Sequence, residues 1–315
     1  MFGVGHLGKI HLECLTQTPF EVIGFFDPDD SRAQKTKDHF NIPRYLDEDV
    51  LMKSCDVVDI VTPTIHHFNL AMKALKYGKH VFIEKPIAFH LKEAEMLVKE
   101  VRDSGLKAQV GHVERYNPAF TSLAHDQIKP MFIEAHRLVT FNNRGYDVSV
   151  VMDLMIHDLD LIMSLAGRDV VDIRANGINV IGDTPDICNA RLTFANGCVA
   201  NITASRISMK NMRKIRLFQK NTYISIDFLE KESQIITLED QYTDDVVMPL
   251  DTANGKKYVA LSSPMVEGSN AIVDELMDFH STIINNLEPK VSIEDGYHAL
   301  LLAKRIEEEL KLNIN

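Results

Sequence analysis

Short apolar runs alternate with amphipathic stretches over the first third of the chain. Residues 21–26, 57–61, 80–83 and 107–111 are rich in β-branched and aromatic residues and are predicted strands. The run at 57–61 is apolar enough for a strand buried on both faces. Residues 7–15, 66–77 and 91–103 carry a helical period, with Gly78 and Gly105 standing at the stops of the last two. Strands alternating with helices imply a parallel, doubly wound sheet.

Past Pro118 the pattern changes. Residues 118–127 and 150–165 read as helices, and 131–140 as a strand between them. From 171 to 238 strand follows strand (171–181, 187–194, 198–205, 214–218, 222–227, 233–238), with hairpin chemistry at Asn196-Gly197 and Lys220-Asn221. Such a run predicts a large, mostly antiparallel sheet with one face covered and one open. Residues 269–285 and 293–310 are closing helices. The expected fold class is therefore α/β: a Rossmann domain over residues 1–118, then an α+β domain over 119–315 that carries the open-faced sheet.

A chain of 315 residues suits two domains, and 45% apolar with 25% charged residues is a globular balance. The net charge of −11 opposes a nucleic-acid backbone, so no nucleic-acid partner is expected. No apolar run approaches the roughly 20 residues that span a bilayer, so no membrane partner is expected either. The start shows no basic stretch followed by an apolar core, so no secretory signal is expected. Cys14, Cys55, Cys188 and Cys198 form no Cys-x-x-Cys pair, which fits a reduced cytoplasm better than disulfides or zinc.

Gly3-Val4-Gly5-His6-Leu7-Gly8 is a G-x-G-x-x-G run that opens a helix. Glycines permit a tight turn and close approach to a diphosphate, and the helix N-terminus adds free N–H groups and partial positive charge. The run alone is weak. Its context is stronger, because a strand follows the helix and ends at Asp27, at the spacing of about 20 residues that a ribose-binding acid requires. Read alone, Asp27 can instead cap the next helix. A phosphate on the ribose 2′ position would face Asp27, Asp29 and Asp30. Two unit charges about 4 Å apart at an effective dielectric of about 20 repel by roughly 4 kcal/mol, which favours NAD over NADP. Arg32 can soften that repulsion. Only Met1 and Phe2 precede Gly3, so the first strand is expected to be truncated.

Lys85, in Glu84-Lys85-Pro86, follows a predicted strand and stands where open α/β sheets bind ligands. A lysine there can orient a substrate hydroxyl and help move its proton; equally, it can be a surface residue. Pro86 removes a backbone donor and can hold a cis turn. In the second domain Asp153 and His157 are four apart on a predicted helix, with Asp160 one turn on. A lined cleft, a metal site and a satisfied core histidine all fit that stripe, though no Cys or second nearby His supports metal.

Together the glycine run, Thr62-Pro63-x-x-x-His67, the stretch from Gly78 to Pro86 and Asp153-x-x-x-His157-Asp158-x-Asp160 resemble the Gfo/Idh/MocA oxidoreductases, which include glucose–fructose oxidoreductase and inositol dehydrogenases. The resemblance runs through the closing stretch Pro289 to Gly296. It implies hydride transfer between nicotinamide and a hydroxyl-bearing carbon of a sugar. It implies Lys85 as the catalytic lysine, His157 as acid/base partner and Asp153 as a substrate-binding acid. Gly3, Gly5, His6, Leu7, Gly8, Asp27, Thr62, Pro63, His67, Glu84 and Lys85 are implied to bind the cofactor. The segment Gly111 to Pro118 is similar to that of members oxidising the 3-hydroxyl of UDP-linked N-acetylated sugars. It implies Arg115 and Tyr116, with Asp153 and His157, as substrate contacts; an ordinary crossover with a salt bridge is the alternative. Arg137 and Arg144 are further cations for a diphosphate. An inositol or free-sugar dehydrogenase, or a non-catalytic nucleotide-binding regulator, remain as other readings. The family's C-terminal sheet commonly forms a homodimer or homotetramer interface, which is expected here.

Overall fold

The computed structural model describes residues 1–141, 148–181, 183–242, 245–253, 255–266 and 268–312. In chain order, α1 (His6–Leu15), α2 (Asp30–Phe40), α3 (Glu48–Ser54), β1 (Val57–Ile60) and α4 (His67–Lys76) come first. They are followed by β2 (His80–Glu84), α5 (Leu91–Ser104), β3 (Ala108–Gly111), α6 (Pro118–Thr121), β4 (Phe132–Thr140) and α7 (Ile156–Ala166). Then come β5 (Val170–Ile178), β6 (Ile187–Phe194), β7 (Val199–Ser208), β8 (Met212–Gln219) and β9 (Thr222–Asp227). The last are β10 (Glu232–Glu239), β11 (Val246–Thr252), β12 (Gly255–Ser262), α8 (Ala271–Ile284) and α9 (Ile293–Leu312).

These elements form two compact units. The first holds Met1–Tyr116 and Ser269–Leu301, the second Asn117–Gly268 and the residues from Leu302 on. The expected division into 1–118 and 119–315 does not contain this return. Residues 269–301 join the first unit because Leu276 and Phe279 of α8 complete its core with Leu12, Phe25 and Phe82.

The first unit's sheet is β1-β2-β3, all parallel, and its strands are almost wholly buried, as their continuous apolar sequences predict. Single bridging residues extend it: Phe2 lies parallel to both Ile60 and Phe26, and Phe25 to Arg44. The expected first strand is thus represented by Phe2, whose N–H donates to Asp59 O at 2.8 Å. The strand expected over 21–26 shrinks to Phe25 and Phe26, since a ladder forms only opposite a partner: Met1 to Gly3 oppose Phe26, and Pro43 to Tyr45 oppose Phe25. Two helices lack a readable apolar stripe, α2 burying only Ala33 and Thr36. Aspartates start both. Asp29 accepts the Arg32 N–H at 2.9 Å, and Asp47 accepts those of Asp49 and Val50 at 2.8 and 3.2 Å. At the start of α9, Ser292 and Asp295 satisfy each other's backbone N–H groups at 2.9 and 3.1 Å, a reciprocal cap.

The second unit is a nine-stranded sheet, β11-β12-β10-β9-β8-β4-β7-β6-β5, antiparallel except at β4/β7. One face buries Ala135, Ala190, Ala200, Ile202, Ile215 and Leu217. The other is polar: Asn189 bonds Thr203 at 2.9 Å, Arg191 bonds Asn201 at 3.0 Å, and Arg216 lies 3.5 Å from Glu134. The β11/β12 hairpin is additional to the six strands expected from 171 to 238. The helix expected over 118–127 is only the single turn α6 and a 3₁₀ turn, His125–Gln127. The helix expected over 150–165 opens with a π-helical turn, Val151–Met155, before α7, and Gly167 closes it at φ 89°.

Candidate active site

The three glycines of the first turn do different work. Gly3 has φ +89°, and a Cβ there would stand 2.7 Å from Val61 O. A Cβ on Gly8 would stand 2.3 Å from Gly3 O, so helix α1 can lie against the turn only without one. Gly5 is open: its nearest neighbour would be Arg32 Nη1 at 4.0 Å. It precedes α1, whose N-terminus has no side-chain cap, and His6 and Leu7 beside it are exposed. Free N–H groups at an uncapped helix start, beside a glycine with space above it, fit the diphosphate of a dinucleotide.

Asp27 is 3% exposed. Its Oδ2 accepts the Val4 N–H at 2.9 Å, and its Oδ1 accepts the Asp29 N–H at 2.9 Å and the Arg32 Nε–H at 3.3 Å. Helix α2 is capped by Asp29, so Asp27 is not its cap. Arg32, the cation able to soften the acid's effect on a 2′-phosphate, is engaged with Asp27 and also lies 3.4 Å from Asp29.

The carboxyl ends of β1 and β2 carry the remaining cofactor candidates. The buried Thr62 hydroxyl has no hydrogen-bond partner among the described residues, as a group reserved for a ligand would. Pro63 is exposed. His67 turns inward: Nδ1 lies 2.9 Å from Pro86 O and Nε2 2.8 Å from Thr62 O. Burial pushes His67 down, toward the neutral form. Glu84 also turns inward, its Oε1 lying 3.1 Å from His11 Nε2 and its Oε2 accepting the Lys85 N–H at 3.1 Å. Lys85 is half-buried at the end of β2, and its peptide with Pro86 is cis.

Sequence reasoning missed His11. The ring is fully buried between Glu84 and Asp59, with Nδ1 3.2 Å from Asp59 Oδ2. Burial opposes charge on this ring most strongly, but the two carboxylates outweigh it and hold His11 well above the usual histidine range. The signal was an aspartate inside the apolar run at 57–61, a buried charge that requires a partner.

Arg115 and Tyr116 have partners in their own unit. Arg115 lies 3.6 Å from Asp295, and the Tyr116 hydroxyl donates to Asp278 at 2.7 Å under the Lys290 ammonium, 4.7 Å from the ring centre. Burial, with Asp278 beside it, pushes the Tyr116 hydroxyl up. In the second unit Asp153 lies in the π-helical turn, and His157 in the first turn of α7; both are half-buried. Next to them Asp158 takes Arg137 Nε at 3.0 Å and Nη2 at 2.8 Å, both side chains being buried. Arg137 is therefore a structural cation, and Arg144 lies outside the described residues. Burial raises Cys188 to about 12 and Cys198 to about 11, so neither is a thiolate at neutral pH. Among the described residues no group of His, Cys, Asp and Glu could hold a metal ion, and no helix is long and apolar enough to cross a membrane. A cavity of about 290 Å³ in the first unit is lined by Phe20, Leu276 and Phe279 and by none of the expected site residues.

Comparison with known proteins matches this arrangement. Residues 1–112 fit the oxidoreductase family with an NAD-binding Rossmann fold, and residues 129–224 fit the Gfo/Idh/MocA C-terminal domain. The UDP-N-acetylglucosamine 3-dehydrogenase of Acidithiobacillus ferrooxidans is 37% identical over 236 residues, 75% of each chain. Its solved structure superposes with a TM-score of 0.89 at 31% identity, covering 99% of this chain and 96% of that one. The scyllo-inositol 2-dehydrogenase (NAD⁺) of Bacillus subtilis is 27% identical over 66% of this chain and 67% of its own. Levoglucosan dehydrogenase with NADH and levoglucosan shares the fold, with a TM-score of 0.83 at 20% identity over 98% of this chain and 96% of that one. A glycine turn shaped for a diphosphate, an acid behind it, a lysine ending β2 and these likenesses across both units lead to one conclusion: the chain belongs to the Gfo/Idh/MocA family of NAD-binding oxidoreductases.

Proposed function

We propose that this oxidoreductase oxidises the 3-hydroxyl of a UDP-linked N-acetylated sugar, with NAD as the hydride acceptor. The observation that carries this reading is the 37% identity, over three quarters of each chain, to a dehydrogenase named for that substrate and carbon. Identity of 27% to an inositol dehydrogenase supports the second reading, a cyclic polyol as substrate.

Bound NAD supplies a hydride acceptor at its nicotinamide ring. The chain has to hold the sugar and remove the hydroxyl proton. Lys85 is assigned to bind the reacting hydroxyl and take up that proton. His157 is assigned as its acid/base partner and Asp153 as the acid that orients the sugar. The N-terminus of α1 and Gly5 hold the diphosphate of the cofactor, Asp27 its adenosine ribose, and the Thr62 hydroxyl and Pro63 line the same site. Arg115 and Tyr116 complete the substrate set, acting from a segment fixed by the Arg115–Asp295 ion pair and the Tyr116–Asp278 hydrogen bond. We assign the polar face of the nine-stranded sheet to a homo-oligomer interface and the protein to the cytoplasm.

The test is a screen of UDP-N-acetylglucosamine, free N-acetylglucosamine, hexoses and inositols, with NAD or NADP, followed by absorbance of the reduced nicotinamide. Turnover confined to the UDP-sugar is the expected result. Faster turnover of an inositol would favour the second reading, and no turnover of any of these would reject both.

A further inference from the structure

We propose that His11 and His67 are positioning residues that grip the chain on either side of Lys85 and hold its amine where the reacting hydroxyl must lie. The proposal rests on the reading of Lys85 as the residue that takes the hydroxyl proton.

The grip is visible atom by atom. On the N-terminal side of Lys85, the Glu84 carboxylate is fixed from three directions. His11 Nε2 lies 3.1 Å from Oε1, and Oε2 accepts the Lys85 backbone N–H at 3.1 Å. Gly111 packs against the same carboxylate so closely that a Cβ there would stand 2.7 Å from Oε1. On the C-terminal side, the His67 ring stands between two carbonyls, Nδ1 2.9 Å from Pro86 O and Nε2 2.8 Å from Thr62 O just past β1, and its N–H donates to one of them. Both rings are buried. The restraint thus falls on the backbone before and after the lysine.

Stability alone is a poor account of the His11 end. An ion group in a core is rarely better than apolar side chains of the same volume, because desolvation cancels most of the attraction. Here an imidazole and two carboxylates share a core position edged by the Phe82 ring, 5.7 Å away. What distinguishes the arrangement is what it connects. His11 belongs to α1, the helix whose N-terminus faces the cofactor diphosphate; Asp59 belongs to β1; Glu84 ends β2 and adjoins Lys85. One hydrogen-bonded bridge therefore ties the cofactor-binding helix to the strand that presents the lysine. Hydride and proton transfer need both partners in register, and a displacement of about 1 Å can cost about 100-fold in rate.

The experiment uses the full-length protein and His11→Gln. Glutamine carries both of its N–H donors on one nitrogen, so it cannot span Glu84 and Asp59 as the two ring nitrogens of His11 do. Expected is a fall in kcat of at least about 10-fold, with KM for the sugar and the NADH dissociation constant changed by less than about 3-fold. A residue that only supports the fold would move affinity and melting temperature with kcat, or would move none of them. Should His11→Gln fail to fold, Glu84→Gln is read by the same criteria, since it keeps the side-chain shape and removes the charged link. Independently of turnover, ring ¹⁵N spectra of the unliganded wild type should show His11 protonated at both nitrogens at pH 7. A kcat within about twofold of wild type, or a His11 ring carrying one proton, would overturn the proposal. Lys85→Met separates this from the underlying reading. If Lys85→Met abolishes turnover and His11→Gln does not slow it, only the grip is wrong; if Lys85→Met turns over normally, the assignment of Lys85 is wrong.

Discussion

Asp27 Oδ2 accepts the backbone N–H of Val4 at 2.9 Å, so the acid assigned to the ribose also braces the glycine turn. Asp27→Ala is expected to weaken NAD twice over, by removing the ribose acceptor and by leaving the Val4 N–H without its partner. A lost hydrogen bond to a charged group is worth about 1.5–3 kcal/mol, or roughly 10- to 150-fold in affinity. NADP should lose less, since the repulsion on its 2′-phosphate goes with the carboxylate. Titration of both cofactors against both proteins checks this, and an unchanged NADP/NAD ratio would detach Asp27 from the ribose.

Gly5 and Gly8 should respond in opposite ways to the same added methyl. Gly8→Ala forces a Cβ to within 2.3 Å of Gly3 O, so the turn and α1 must separate. Overpacking of this kind costs about 1–3 kcal/mol, visible as a lower urea midpoint. Gly5→Ala meets nothing nearer than 4.0 Å and should fold normally, but its methyl occupies the space assigned to the diphosphate. NADH affinity should therefore fall in Gly5→Ala at unchanged stability. Full NADH binding by that variant would move the diphosphate elsewhere.

The sequence disclosed what depends on local pattern. The apolar runs of β1, β2 and β3, the glycine turn, and Gly78 and Gly105 as helix stops all follow from nearest-neighbour chemistry. It did not disclose what depends on distant partners. The run at 21–26 has strand composition, yet only Phe25 and Phe26 find an opposite chain. Helices α2 and α3 have little apolar period and are marked by Asp29 and Asp47, a signal that a search for hydrophobic stripes passes over. The return of α8 to the first unit rests on Leu276 and Phe279 meeting Phe82 across nearly two hundred positions. At the candidate site, motif context singled out Lys85 and Asp27, and the structure sets Lys85 just past β2 and Asp27 against the glycine turn. His11 was not, since its meaning lies in Asp59 and Glu84, which are distant in sequence. Glu84 and His67 are expected to line the cofactor, and in the structure their polar atoms meet His11, Lys85, Pro86 and Thr62.

Stability should fall as pH rises above neutrality. His11 in the folded chain lies well above the 6.5 of a free histidine, held there by Asp59 and Glu84. The folded state therefore keeps a proton that the unfolded state releases. The contribution is fully present below pH 6.5 and is lost as pH rises through the higher folded value. The slope reaches at most about 1.4 kcal/mol per pH unit, the value for a one-proton difference. Urea unfolding at a series of pH values from 6 upward measures it directly. The buried amino terminus of Met1 also faces Asp59, so Glu84→Gln is the better control: it should flatten the slope while leaving that amine in place.

The pair Arg137–Asp158 lies beside His157 and should behave as a structural pair with a local effect on catalysis. Both side chains are 3% exposed, and the guanidinium meets the carboxylate through Nε and Nη2. Asp158→Ala removes the carboxylate that meets the buried Arg137 guanidinium through Nε and Nη2, and breaking a buried pair from one side costs about 3–5 kcal/mol. Removing both charges, with Arg137→Met added, should recover part of that loss, because the desolvation cost of the remaining ion disappears with it. Asp158 and His157 share the first turn of α7, so the double variant regains part of the stability while that turn has lost its tie to β4. The double variant should therefore approach wild-type stability with a lower kcat and nearly unchanged NADH affinity. Equal stability loss in the single and double variants would show that Asp158 acts through something other than the buried pair.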